Sequence, residues 1–149
     1  MVETAGSASV EIEASPAAVY AILTDLSRIS ELSPECYRAE WEGDATGPEA
    51  GATFRGYNRN RDHEWDAGCV VLAATPGEEW AFEVPAGDGR STVWRYQIAA
   101  TDSGCEVTES FDSPILDGEF FQKMNRHDLL VKNIARTLDN LKAVAEAEG

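Results

Sequence analysis

The chain has 149 residues, with 27 acidic side chains against 12 basic and a formal charge of −15. That length suits one ordinary domain burying about two-thirds of its unfolded surface, and that charge repels phosphate backbones and anionic head groups, so nucleic acid and membrane surfaces are poor expected partners. No apolar run approaches the roughly 20 residues of a membrane span, and "MVETAGSAS" has neither the basic start nor the apolar core of a signal peptide, so a cytoplasmic location is expected.

In chain order, "SVEIEA" alternates, with Val10 and Ile12 on one face, and reads as a strand. "SPAAVYAILTD" opens a helix, with Ser15 as N-cap and Pro16 at the first helical position. Asp25 caps a second short helix through "LSRISEL", which Pro34 ends.

Beyond Pro34 the period changes to two. "CYRAEWEGD" sets Tyr37, Ala39 and Trp41 against Arg38, Glu40 and Glu42. "ATFRGYNRN", "HEWDAGCVVLAA", "WAFEV", "RSTVWRYQIAA" and "CEVTESFD" follow, joined by Gly-, Pro- and Asp-rich turns. Six consecutive strands with connections too short for a parallel crossover predict an antiparallel meander. Gly56 and Gly68 lie mid-strand, where glycine marks a bulge or bend, and they predict a strongly curved sheet.

After "SPILDG" a long helix is predicted from Gly118 or Glu119, with Asp117 as N-cap. Phe120, Met124, His127, Val131, Ile134, Leu138 and Leu141 form one stripe at spacings of three and four. About 27 helical residues would run roughly 40 Å, and the concave face of the sheet is the expected partner for that stripe.

Cys36, Cys69 and Cys105 are far apart, and no Cys-x-x-Cys occurs. Reduced thiols are expected, with no metal site and no cofactor.

This order of elements resembles the helix-grip fold of START-type and birch-pollen-allergen-like proteins, the SRPBCC superfamily. Its most similar branch is the bacterial polyketide cyclase/dehydrase and lipid-transport group. "SPAAVYAILTDLSRISELSPE", "FRGYNRNRDHEWDAGCVVLAATPGEEWAFEV", "VWRYQI" and the final helix carry the resemblance, over nearly the whole chain. It implies an α+β domain over residues 1–149: about seven curved antiparallel strands around a long C-terminal helix, with two short helices between strands 1 and 2. It also implies a cavity between sheet and helix, open at one end, for a lipid, polyketide or aromatic compound.

Strand alternation supplies the inward residues independently. They are Trp41, Trp65, Cys69, Trp80, Phe82, Trp94, Tyr96, Val107 and Phe111, together with Phe54, Gly56 and Asn58. Arg38, Asp66, Glu83, Arg95 and Glu106 are expected in solvent. All four tryptophans inside would equally serve core packing or a pocket for a bulky apolar ligand. The expected ligand-contacting set adds Phe120, Met124 and His127 from the helix stripe.

Glu109 shares the parity of Val107 and Phe111, so it points inward, where an unpaired carboxylate is costly. Glu109 and His127 are the candidate acid–base pair; each is equally readable as a hydrogen-bonded structural group. A Cys69–His127 nucleophilic dyad is the weakest alternative. Three functions stay open. The protein is a binder or carrier of a small apolar molecule, an enzyme of the polyketide cyclase/aromatase/dehydratase kind, or an interaction module with a closed core. Homodimerisation is left open as well.

Overall fold

The computed structural model describes residues 3–148, so Met1, Val2 and Gly149 lie outside the described residues. Strand β1 (Ala5–Ile12) is followed by α1 (Pro16–Thr24), a short 3-10 turn (Leu26–Arg28) and α2 (Ile29–Leu32). The meander comprises β2 (Cys36–Glu42), β3 (Thr53–Asn60), β4 (His63–Thr75), β5 (Glu79–Pro85), β6 (Ser91–Thr101) and β7 (Gly104–Asp112). A second 3-10 turn (Pro114–Asp117), α3 (Glu119–Lys123) and α4 (Arg126–Glu148) complete the chain. The seven antiparallel strands lie in the order β1-β7-β6-β5-β4-β3-β2.

Local signals explain the N-terminal elements. The Ser15 hydroxyl accepts from the Ala18 amide at 3.1 Å, satisfying one of the free donors at the start of α1. Asp25 caps the first 3-10 turn by accepting from the Ser27 amide at 3.1 Å. The backbone of α4 runs closest to β1, and α1 and α2 cover the remaining concave face, toward β5–β6 and β2 respectively. Ile134, Leu138 and Leu141 of α4 are buried, as the stripe requires.

Three expectations about local geometry need correction. The final helix is not continuous. Asn125 sits in the left-handed region at φ 52°, so the helix restarts at Arg126. Asn tolerates that conformation better than most residues because its short polar side chain can bond locally. Phe120 and Met124 therefore leave the inner stripe and are 67% and 59% exposed. Asp117 does not cap α3; Gly118 holds the cap position, and the Asp117 carboxylate accepts from Arg90 at 3.1 Å.

The strand irregularities fall at Cys36/Arg38 and Val71/Ala73, not at the two glycines. The first shift takes Tyr37 out of the Ala39–Trp41 face and leaves it 41% exposed under the Arg59 guanidinium. Gly56 instead leaves room for the Cys36 thiol, which lies 3.4 Å from where its Cβ would be, and Gly68 makes the same allowance for Arg55 on the outer face.

Candidate functional site

Pairing register arranges the inner face in rows across the sheet. One row runs Ala8, Glu109, Tyr96, Trp80, Ala74, and the next runs Gly6, Phe111, Trp94, Phe82, Val71. Trp41, Phe54, Trp80 and Phe82 pack as one aromatic cluster, with Phe54 stacked on Trp80 at 6.1 Å and edge-on to Phe82 at 5.1 Å. Trp94 and Phe111, 5.6 Å apart, belong to a second cluster with Leu116, Leu130 and Ile134.

Glu109 lies in the middle of this surface. It pairs with Ala8, which packs against both clusters. Glu109 is 3% exposed, the Tyr96 side chain stands opposite it in the register, and its Oε1 has no partner among the described residues. Burial pushes the Glu109 carboxyl up to about 8, against the opposing pull of Tyr96. Burial first, and then the neighbouring Glu109 charge, raise the Tyr96 phenol well above its ordinary value. The buried Tyr20 hydroxyl on α1 is a second unpartnered group.

His127 lies elsewhere. Its Nε2–H donates to the Ala5 carbonyl at 2.7 Å, and its ring meets Phe111 edge-on at 5.7 Å. Its bond fastens α4 to β1, and the residue opposite Glu109 is Tyr96. The Cys69–His127 dyad is overturned on the same grounds. Cys69 sits on β4 beside Phe54, its thiol pushed up to about 12 by burial, while His127 lies over β1 and β7.

An ion pair closes one end of the space between α4 and the sheet. The two terminal nitrogens of Arg126, Nη1 and Nη2, donate to Glu35 at 2.7 and 2.8 Å, and Asn60 adds a bond at 2.8 Å. The Arg126 guanidinium also lies 5.6 Å over Trp65, which stacks on His63. Burial works to raise the Glu35 carboxyl, but the bonds and charge of Arg126, with help from Asn60 and Asn133, hold it below its ordinary value.

Of the expected ligand-contacting residues, Phe54, Cys69, Trp80, Tyr96, Glu109 and Phe111 are buried on the inner face. Asn58, Trp65, Phe82, Trp94 and His127 are half-buried, and Phe120 and Met124 face solvent. Sequence reasoning missed Glu35, Arg126 and Asn60. Glu35 and Arg126 are 91 residues apart, and no local pattern marks such a pair. Aromatic side chains pack side by side across the inner face where the open chamber is expected. One concavity lies beside Thr24–Ser27 and Ala39–Trp41, and another between α1 and the end of α4.

Comparison with known proteins follows this geometry. The Polyketide_cyc-like protein Cgl2372 from Corynebacterium glutamicum is similar at 27% identity and a TM-score of 0.68, with 97% of this chain and 93% of that one covered. Protein MLL2253 from Mesorhizobium loti shares the fold at 13% identity and a TM-score of 0.74, covering 97% and 98%. StfQ, the di-domain ARO/CYC from the steffimycin biosynthetic pathway, aligns at 14% identity and a TM-score of 0.76, over 97% of this chain and 51% of its own. No curated protein matches the sequence. The profile described as polyketide cyclase / dehydrase and lipid transport matches residues 4–146. This chain, with its seven-stranded sheet, short helices between the first two strands and C-terminal helix, belongs to the polyketide cyclase/dehydrase and lipid transport family.

Proposed function

We propose that this protein binds or carries a small apolar molecule between α4 and the sheet, with Glu109 as its polar anchor. The observation that carries the reading is Glu109 itself. A side chain 3% exposed, among tryptophans and phenylalanines, keeps an oxygen with no partner. A buried polar atom without a hydrogen bond costs free energy that a pure packing role would not tolerate readily. A ligand hydroxyl or carbonyl at Oε1 would recover it. Phe82 and Trp94, paired across β5 and β6 on the inner face, are only half-buried, so they are the side chains that would part to admit a molecule.

Binding is favoured over polyketide cyclisation or dehydration because the candidate proton donors and acceptors other than Glu109 are held in structural bonds. His127 is engaged with Ala5 and Arg126 with Glu35. The continuous cluster of buried apolar side chains supports a closed interaction module as the second reading. Native mass spectrometry of protein purified from its own host separates the two. A co-purified apolar molecule, lost on Glu109→Leu, is the expected result. An unliganded protein whose melting temperature no apolar probe raises would support the closed module, since a ligand specific to the native state must stabilise it.

A further inference from the structure

The polar inventory of the interior narrows the ligand class, given the binding reading above. Among the described residues, no lysine, arginine or histidine is buried. The buried threonines and serine are satisfied: Thr24 donates to the Tyr20 carbonyl at 2.9 Å, Thr137 to that of Asn133 at 2.9 Å, and Thr92 and Ser113 share a bond at 2.8 Å. What remains for a ligand is the Glu109 carboxyl, opposite Tyr96, and the Tyr20 hydroxyl.

Arg126 and His127, at the start of α4, are each already engaged within the protein. The Arg126 charge is matched by Glu35, which two of its three guanidinium nitrogens contact, and His127 is bonded to the Ala5 carbonyl. An anionic head group would thus enter a dry space with no counter-charge, beside an acid, on a protein of charge −15. A cationic head would need Glu109 ionised. A carboxylate has about four lone-pair sites to satisfy, and among the described residues no donor reaches its buried Oε1. A protonated carboxyl needs less, because it carries one O–H donor of its own.

We infer that the ligand of this protein is uncharged: an apolar chain or fused-ring molecule with one hydroxyl or carbonyl group that hydrogen-bonds Glu109 Oε1. Fatty acids and acidic aromatic compounds are rejected by desolvation, and amines by the shortage of donors around a Glu109 carboxylate.

Matched probes test this. Decanol, decanoate and decylammonium share one chain; 2-naphthol, 2-naphthoate and 2-naphthylmethylammonium share one ring system. Affinities are measured at pH 7 by isothermal titration and by quenching of the tryptophans. The neutral member of at least one series is expected to bind tenfold or more tighter than both charged members. Glu109→Gln, which keeps a donor and an acceptor, should hold that affinity within about threefold, and Glu109→Leu should lose at least tenfold; melting curves confirm that both variants are folded. A carboxylate or ammonium probe that binds as tightly as its neutral partner overturns the inference and leaves the binding reading intact. Unchanged neutral-probe affinity in a folded Glu109→Leu protein also overturns it. No binding by any of the six overturns both.

Discussion

Tyr96 and Glu109 stand directly opposite each other on β6 and β7, both buried, and the Glu109 Oε1 has no partner among the described residues. Burial raises that carboxyl from 4.5 in the open chain to about 8 in the fold. Between those values the native state keeps a proton that the unfolded state releases. The contribution of Glu109 is therefore full below about pH 4.5 and declines as pH rises toward 8, at up to about 1.4 kcal/mol per pH unit. Glu109→Gln cannot ionise. Urea midpoints of the two proteins should nearly coincide at pH 5, and the variant should be more stable by a few kcal/mol at pH 8.5. A constant difference across that range would mean Glu109 does not titrate in the window.

Glu35 and Arg126 form the most enclosed ion pair, with side chains 13% and 18% exposed. Removing one partner leaves the other part-buried and uncompensated, so Glu35→Gln or Arg126→Met should each cost roughly 2–3 kcal/mol. The double variant should cost less than the sum, with a coupling of about 1–3 kcal/mol from denaturant titrations. The Glu35 carboxyl is held low in the fold, so its stabilisation is present above its unfolded value and lost as pH falls. Acid unfolding of Glu35→Gln should be correspondingly shallower. Additive single effects would show that the pair contributes nothing as a pair.

Asn125 separates α3 from α4 at φ 52°. Glycine enters that region without penalty and a β-branched residue does not. Asn125→Gly should leave stability within about 0.5 kcal/mol, whereas Asn125→Val should cost roughly 1–2 kcal/mol. If valine is tolerated and helix content rises, the break is a weak preference and the continuous helix is accessible.

These cases show what was legible before the structure. The meander followed from period-two alternation and turn residues, and the Ser15 and Asp25 caps from contacts two or three positions long. Glu109 was placed inward by parity with Val107 and Phe111 alone, because β7 runs without a bulge. Tyr37 failed by the same rule, since the register shift at Cys36/Arg38 reverses its face and leaves no mark in composition. Asn125 hid in an otherwise good 3–4 stripe, where one left-handed residue cancels the period. Glu35 with Arg126 was out of reach, because a pairing 91 residues apart depends on how the two ends of the fold meet.

Gly6 faces Phe111 across β1 and β7. A Cβ there would lie 2.8 and 2.9 Å from the Phe111 ring and 3.2 Å from Val131 of α4. The ring is already packed against Trp94 and His127 and has little room to move. Gly6→Ala should therefore destabilise by about 1–3 kcal/mol through overpacking. Gly6→Ala with Phe111→Leu should recover part of that loss, read from thermal melts. A neutral Gly6→Ala would mean that β1 or α4 shifts freely.

His127 and Glu109 carry opposite expectations, although both began as members of one acid–base pair. The His127 ring nitrogen is bonded to a backbone carbonyl, and its ring fills space beside Phe111, so it ties α4 to β1. His127→Ala should lose about 1–2 kcal/mol of stability, through the hydrogen bond and the ring contact. Its preference between decanol and decanoate should stay within about threefold of the parent, because the anchor on β7 is untouched. Glu109→Leu should do the reverse. It removes an unpartnered buried oxygen, so stability holds or rises, while the preference for the neutral probe collapses. Melting temperature and the two affinities, measured on both variants, give the full comparison. A His127→Ala protein that melts like the parent but no longer distinguishes decanol from decanoate would move the anchor from the sheet to the helix.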